Sequence, residues 1–320
     1  MQLPAKTRLA PSPTGTLHLG NIRTFLVNWA LARQRGWRIL LRIEDLDTPR
    51  VKSGVTESML RTLEAMGITW DEGPLVQSSD LEPYRAAMRT LAGAGRTYPS
   101  PESRAELEAR AQEALSAPQE GVSEVRYPAE FRPAALPRIF EDASEANWRF
   151  AASAEAADFD DGVAGPQRMT PAETIGDFVI WTKRHQPAYQ LAVVVDDARQ
   201  GITHIVRGND LLDSAGRQIL LQRALGIRPQ PAYFHLPLVR GEDGKRLAKR
   251  HGDTRVESYL RAGVPPERII ALIARWSGVE NVAACMTASE FASAFQLAKL
   301  PAHDVVFHPS DDVWLKERKR

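Results

Sequence analysis

The strongest constraint on the fold lies within residues 7–47. A short extended segment, Thr7-Arg8-Leu9-Ala10, is stopped by Pro11-Ser12-Pro13-Thr14-Gly15, and a helix is expected to follow. Leu19, Ile22, Leu26, Trp29 and Arg33 fall on one helical face, with Phe25 and Ala30 beside it and Gly36 as the stop. Trp37 to Ile43 then reads as a buried strand, an apolar run punctuated by Arg38 and Arg42, before Glu44-Asp45-Leu46-Asp47. Strand, loop, helix and strand in this order open an α/β fold of the nucleotide-binding kind.

The turn at Ala10 to Asn21 delivers the chain into a helix N-terminus, where backbone N–H groups and the helix dipole favour an anion. Its glycines let a ligand approach closely, and His18 and Asn21 can hydrogen-bond phosphate or ribose oxygens. A histidine directly after a turn also serves as a helix cap. A second cluster runs from Gly241 to Gly252, a glycine-flanked loop with four cations in six positions, Lys245-Arg246-Leu247-Ala248-Lys249-Arg250, followed by His251. That composition suits a polyphosphate, although a basic loop in isolation is also simply a solvated surface.

Between these clusters the character changes. From about Ser100 to Gly165 prolines and alanines dominate, after a helix expected over Ser103–Leu115 with a capping-box pattern at Ser103 and Glu106. The apolar periodicity there is too weak for a separate core, so the stretch reads as an insertion between two halves of a domain. Strands are expected at Leu191–Val195, Ile202–Val206 and Phe234–Val239, and a helix over Ser214–Leu225 that Gly226 ends. Asp196-Asp197 then reads as a pair of strand-end acids that cap turns rather than ligate metal. Helices at Thr254–Ala262 and Pro265–Trp276 suggest a small α-helical appendix.

Composition narrows the class of protein. With 43% hydrophobic and 25% charged residues the chain is that of an ordinary globular protein. No apolar run approaches the roughly 18–20 residues that span a bilayer, so a cytoplasmic protein without membrane contact is expected. The single cysteine, Cys285, rules out an internal disulfide and a multi-cysteine zinc site. A net charge of +1 neither demands nor excludes nucleic acid, because phosphate binding depends on local patches. The basic tail, Lys316-Glu317-Arg318-Lys319-Arg320, reads as a solvated end. No long apolar heptad calls for self-association, and a monomer is expected.

His18-Leu19-Gly20-Asn21 and Arg246-Leu247-Ala248-Lys249-Arg250-His251-Gly252 resemble, in order and separation, the two motifs of class I aminoacyl-tRNA synthetases of the glutamyl type, His-Ile-Gly-Asn/His and Lys-Leu-Ser-Lys-Arg-His-Gly. Leu41 to Asp47, Gly176 to Ile180, Tyr189 to Asp197 and Ile202 to Leu212 are similar to further segments of that family. The resemblance covers roughly residues 7–100 and 170–275. It implies a Rossmann-like catalytic domain formed by residues 1–99 and 171–250, a connective insertion at 100–170 and a helical subdomain at 251–320. It also implies ATP-dependent activation of L-glutamate, with Mg2+ accompanying ATP, and transfer of the glutamyl group to a tRNA.

In that chemistry the amino-acid carboxylate attacks the α-phosphorus of ATP, so the protein supplies neither nucleophile nor strong base but positions the reactants and stabilises charge. By the resemblance, Lys249 and His18 are the catalytic residues, and His18, Gly20, Asn21, Thr14 and Lys249 hold ATP. The glutamate pocket becomes Arg8, Ser12, Glu44, Tyr189 and Arg207. Glu44 can pair the α-ammonium, while Arg8 and Arg207 offer forked donors to the side-chain carboxylate, and unpaired buried arginines penalise glutamine. The plainer readings are a surface arginine at position 8 and a capping carboxylate at position 44.

Three departures from the family pattern matter. Where relatives place zinc-binding cysteines in a Cys-x-Cys pair and a Tyr-x-x-x-Cys segment, this chain has Ser100 and Glu102, and Tyr127 with Phe131; no structural zinc is expected, and the insertion should be held by packing. Ala248 replaces the loop serine and Arg246 a lysine, which slows activation by about 10- to 100-fold at worst. Only about 70 residues follow the basic loop. That layout resembles a branch of the family that loads glutamate onto queuosine at the wobble position of tRNA(Asp) instead of onto a 3′ end. A compact synthetase charging a 3′ end and a catalytically weak tRNA- or nucleotide-binding paralogue remain as alternatives.

Overall fold

The computed structural model describes residues 4–102, 106, 126–245, 247 and 253–317. The helix expected over Ser103–Leu115 and the loop residues Arg246, Ala248, Lys249, Arg250, His251 and Gly252 lie outside the described residues, apart from Glu106. The strands are β1 (Lys6–Leu9), β2 (Arg38–Ile43), β3 (Glu72–Val76), β4 (Thr97–Ser100), β5 (Asn147–Phe150), β6 (Ala157–Asp161), β7 (Gly165–Met169), β8 (Phe178–Thr182), β9 (Gln186–Pro187), β10 (His204–Gly208), β11 (Ala232–Leu236), β12 (Val239–Arg240) and β13 (Val305–Val306). The helices longer than one turn are α1 (Leu19–Arg35), α2 (Val55–Ala65), α3 (Glu82–Gly93), α4 (Tyr189–Arg199), α5 (Leu212–Ala224), α6 (Val256–Arg261), α7 (Pro266–Trp276), α8 (Ala288–Ala294) and α9 (Pro309–Lys316).

β1, β2 and β3 form one parallel ladder, with β2 central. A second ladder, in the order β10-β11-β6-β7, is parallel except for β7. The two ladders meet at the starts of β1 and β10, where the Thr203 N–H donates to the Lys6 carbonyl at 2.9 Å and the Lys6 N–H to Thr203 Oγ1 at 2.8 Å. Two residues further on, the Arg8 guanidinium instead of the backbone reaches the Val206 carbonyl, at 3.4 Å. A crevice therefore opens at the carboxyl ends of β1 and β10, the place where open α/β sheets bind ligands. This is the Rossmann-like arrangement implied by the opening strand, loop, helix and strand.

α1 forms as its pattern predicts. His18 caps its N-terminus, Gly36 ends it at φ +66° with its N–H on the Ala32 carbonyl, and Arg33 and Arg35 lie at the negative end of the dipole. Leu19, Ile22 and Leu26 are fully buried. The core they join also holds Leu9, Ile39 and Leu41 from the sheet, together with Tyr259, Ile269, Ile273, Phe291, Phe295 and Leu315. The C-terminal helices expected as an appendix thus share one continuous core with the first βαβ unit, and Gln34 Nε2 fastens α1 to the carbonyls of Ala292 and Phe295 at 2.6 and 2.8 Å. Among the described residues no helix is long and apolar enough to cross a membrane.

One expected strand is a helix. Leu191 to Val195 lie within α4, where each of these residues is buried. Three consecutive valines favour a strand, but α4 is covered on several sides by α3, α5 and β8, so its apolar run is continuous for tertiary reasons and carries no period. The Pro-rich stretch, expected to lack a core of its own, adds β4 and β5 to β8 and β9 in an antiparallel sheet. Trp148 and Trp181 stand opposite each other there, with the Phe140 ring edge-on to both, at 5.1 and 5.2 Å. These aromatics pack into the same core as Met88, Leu91, Leu191 and Leu220. β6 and β7, which the sequence groups with the insertion, are hydrogen-bonded into the second parallel ladder.

Positions at which the family resemblance points to zinc ligands are tied together by hydrogen bonds. Ser100 Oγ donates to Glu102 Oε2 at 2.6 Å, Tyr127 Oη to the same oxygen at 3.2 Å, and Arg149 Nε to Ser100 Oγ at 3.0 Å, with the Arg149 guanidinium 3.8 Å from the Tyr127 ring centre. Next to them the buried Asp177 accepts from Tyr98 Oη at 2.6 Å, Arg132 Nε at 2.7 Å and the Ala152 N–H at 2.8 Å. Two carboxylates, each already taken up by hydroxyl, guanidinium or backbone donors, do not make a zinc donor set. Asp177→Ala should lower the unfolding free energy by about 2–3 kcal/mol in urea titrations, because it strands the Tyr98 hydroxyl and Arg132. Prolonged dialysis against a strong chelator should leave the thermal midpoint of the wild type unchanged.

Candidate active site

The turn after β1 and the first turn of α1 build one wall of the site. His18 Nδ1 accepts from the Gly20 and Asn21 N–H groups at 3.1 and 3.3 Å, and Asn21 Oδ1 accepts from the His18 N–H at 3.1 Å. This reciprocal cap fixes the imidazole across the helix end, and a Cβ at Gly20 would come within 3.0 Å of the ring. His18 is therefore a helix cap and a cleft residue at once, which unites its two sequence readings. The segment beyond the basic loop is pinned to the same place, since the Leu19 N–H donates to the Thr254 carbonyl at 3.1 Å and the Val256 N–H to the Leu17 carbonyl at 3.0 Å.

A cleft of about 500 Å3 at this point is lined by Arg8, His18, Gly20, Asn21, Glu44, Tyr189 and Arg207. Leu247, two residues before Lys249, lines it as well. A second cleft of about 440 Å3 adjoins it, shares Glu44 and Tyr189 as a common wall, and contains Ser12 and Thr14. The structure thus gathers seven of the sequence-selected residues in one cleft and two in its neighbour, while Lys249 lies outside the described residues.

Beneath the cleft is a buried ion network. Arg42, fully buried on β2, donates to Asp197 Oδ1 at 2.7 Å, Gln200 Oε1 at 2.8 Å and Glu44 Oε1 at 3.0 Å, with Asp196 Oδ2 3.9 Å away. Arg8 Nε lies 3.4 Å from Asp197 Oδ1. Asp196 Oδ2 accepts from Gln77 Nε2 at 2.7 Å and Tyr84 Oη at 2.9 Å, and its Oδ1 from Arg199 Nε at 2.8 Å. Asp196 and Asp197 are accordingly helical and ion-paired, not turn caps at a strand end, because their segment is α4. Burial alone would lower the Arg42 pKa, but Asp197, Glu44 and Asp196 outweigh it and hold the guanidinium firmly charged. Burial raises the Glu44 carboxyl above its ordinary range, opposed by Arg42 and then Arg8. Glu44 is 15% exposed and faces the cleft, so an arriving ammonium would favour its ionised form.

The cleft's second arginine is held by side chains that local sequence pattern does not single out. Arg207, 5% exposed, donates through Nη1 to Gln218 Oε1 and through Nε to His235 Nε2, both at 2.9 Å. Gln218 Nε2 in turn donates to Gln190 Oε1, and Gln190 Nε2 to Ser214 Oγ, both at 3.0 Å. Arg207 Nη2 has no hydrogen-bond partner among the described residues. A buried guanidinium fixed on two nitrogens with a third uncommitted has a donor geometry that a carboxylate matches.

Removing the central cation tests the network. Arg42→Met should destabilise the fold by about 3–5 kcal/mol, since it leaves buried carboxylates uncompensated. The loss should be larger at pH 8 than at pH 5. Without Arg42 the folded-state pKa of Glu44 rises further above its unfolded value, so its contribution is retained at low pH and disappears as pH rises. Urea denaturation at the two pH values measures both effects.

The comparisons with known proteins agree with this geometry. Residues 4–310 match the family described as tRNA synthetases class I (E and Q), catalytic domain, E and Q being glutamate and glutamine. A glutamyl-Q tRNA(Asp) synthetase from Symbiobacterium thermophilum is 43% identical over 309 residues, spanning 93% of this chain and 94% of that protein. One from Geobacter sulfurreducens is 46% identical over 253 residues, 78% of this chain and 76% of that protein. Among solved structures, a glutamate tRNA ligase from Elizabethkingia meningosepticum in complex with its amino acid is similar with a TM-score of 0.80 at 25% identity, covering 97% of this chain and 68% of that one. A cleft at the helix end capped by His18, the buried Arg8 and Arg207 in its wall and a family match over nearly the whole chain converge on one conclusion: the protein belongs to the class I tRNA synthetases of the glutamate and glutamine type.

Proposed function

We propose that the protein activates L-glutamate with ATP and Mg2+ and transfers the glutamyl group to queuosine at the wobble position of tRNA(Asp). The observation that carries the amino-acid half is the pairing, within one cleft, of the buried Arg207 and Arg8 with Glu44. Glutamate is a zwitterion with an extra carboxylate. Glu44 takes the α-ammonium and the arginines take the side-chain carboxylate, which leaves the α-carboxylate directed towards the nucleotide at the His18-capped helix end. An α-carboxylate oxygen attacks the α-phosphorus of ATP, the bond to the β-phosphate oxygen breaks, and diphosphate leaves. Lys249, His18 and the positive end of the α1 dipole stabilise the charge that builds on the phosphates. An acceptor hydroxyl then attacks the acyl carbon and AMP departs.

The choice of acceptor draws on two supports. The relatives named glutamyl-Q tRNA(Asp) synthetases are 43% and 46% identical to this chain, against 36% for a glutamate–tRNA ligase from Alkalilimnicola ehrlichii. The second cleft offers room for the acceptor: it shares Glu44 and Tyr189 with the first and carries Arg50, Arg184, Gln77 and Gln186 for a polar nucleoside and its phosphates.

ATP–diphosphate exchange should depend on glutamate and be negligible with glutamine. Arg207→Leu should lower kcat/KM for glutamate by about 100-fold or more, and Lys249→Ala should lower kcat by orders of magnitude. With radiolabelled glutamate and tRNA(Asp) carrying or lacking queuosine, label should appear only with queuosine and map to the anticodon-loop fragment after base-specific nuclease digestion. Label on the 3′-terminal fragment would overturn the acceptor assignment, and absence of glutamate-dependent exchange would overturn the amino acid.

A further inference from the structure

The Arg207 fork is held by a buried relay that runs away from the cleft. Asp161, at the end of β6 and 5% exposed, faces four nitrogen donors among the described residues. Its Oδ1 accepts from the Val163 and Ala164 N–H groups at 2.9 and 2.8 Å and from the His235 N–H at 3.1 Å, and its Oδ2 faces His235 Nδ1 at 2.6 Å. Its carboxyl, which burial alone would raise, is held below the ordinary range by these donors, so it is an anion. Only a proton on His235 Nδ1 satisfies that contact. On the other side Arg207 Nε carries a hydrogen that it donates to His235 Nε2, which therefore presents its lone pair. The ring is 1% exposed and is stacked at 5.8 Å on Tyr233, so it cannot turn to exchange these roles.

We infer that His235 and Asp161 are positioning residues for amino-acid selection: Asp161 fixes His235 as the Nδ1–H tautomer, and its Nε2 lone pair orients Arg207 so that the uncommitted Nη2 meets the side-chain carboxylate of glutamate. Gln218 supplies the second fixed contact, so the guanidinium plane is determined by two acceptors on different elements, β11 and α5. The carboxylate receives a donor that has already lost its freedom, whereas the amide of glutamine offers that donor a single neutral acceptor oxygen and turns an N–H towards the neighbouring cations, so it binds more weakly. This inference rests on the glutamate reading above.

Protonation of His235 is the one chemical event that removes the acceptor. Burial first, then Arg207 and Arg8, lower its pKa, while the hydrogen bond and charge of Asp161 raise it, and the net direction is down. The facing groups are Asp161 from β6, Arg207 from β10, Arg8 from β1 and Tyr233 from its own strand. The neutral ring therefore persists at neutral pH, and the acceptor is lost only as pH falls below the ordinary histidine value of about 6.5.

Exchange kinetics on the intact protein test the relay. His235→Phe, which keeps the ring and deletes both nitrogens, should raise KM for glutamate by roughly 10- to 100-fold and narrow discrimination against glutamine by a similar factor. It should leave KM for ATP and kcat within about threefold. His235→Gln, which can return an acceptor to Arg207, should restore most of the loss, and its KM for glutamate should rise less on acidification than that of the wild type, Glu44 being common to both. Equal changes in kcat and both KM values, or no change in KM for glutamate, would overturn the inference. A readout independent of activity and of variant folding is the 15N spectrum of histidine-labelled wild type, in which His235 should be the neutral Nδ1–H tautomer; an Nε2–H tautomer or an imidazolium at neutral pH would overturn it. Wild-type protein without glutamate-dependent exchange but with the Nδ1–H tautomer would refute the amino-acid assignment instead, and leave an Asp161–His235–Arg207 relay serving another carboxylate.

Discussion

Arg42 carries a positive charge through the middle of the molecule, and the fold closes around its neutralisation. A charge out of water costs several kcal/mol even after relaxation unless it is paired and hydrogen-bonded. Asp197, Glu44 and Gln200 supply that pairing, while Asp196 extends it to Gln77 after β3, Tyr84 on α3 and Arg199 on α4. Sliding β2 by one residue would exchange its faces and withdraw Arg42 from these partners. The network thus couples strand register to the seat of Glu44, and through Asp197 to Arg8. The cleft arginines and carboxylate keep their places because the charges beneath them are already balanced.

This dependence explains what is legible in the sequence and what is not. The strand, turn and helix at residues 6–35 are local: a proline-punctuated turn, a capping histidine and a terminal glycine sit within a few residues of the atoms they govern. The cleft residues are legible through the family resemblance, which picks them out from matched segments, and the fold gathers them in one cleft and its neighbour. Leu191 to Val195 mislead because burial on several sides erases the helical period. His235 and Asp161 leave no local sign, since partners 74 residues apart acquire meaning only when β6 and β11 lie side by side. A signal was nevertheless available in retrospect: a histidine inside an apolar strand, where a charge has no place, needs a partner.

The insertion shows the same logic with a different cross-link. Where a relative would gather thiolates about a metal, this chain gathers hydroxyls, a guanidinium and a carboxylate around Ser100, Tyr127 and Arg149. A metal ion organises its ligands by coordination, whereas the hydrogen-bonded cluster needs each partner held separately by β4, β5 and the segment at Tyr127. The sheet it braces supplies Trp148 and Trp181 to the core beneath α4, so this local cluster helps to support the helix that carries Tyr189 and Asp197.

The continuous core between α1 and the C-terminal helices has a consequence for how the chain is made. Leu26 on α1 finds its apolar surroundings partly in Ile273 and Phe291, residues synthesised long after it. At ordinary elongation rates of about 5–20 residues per second, the first βαβ unit waits roughly 10 to 50 s for that cover. During translation its apolar helix face is open to chaperones and to neighbouring nascent chains, so a segment made early is sealed late.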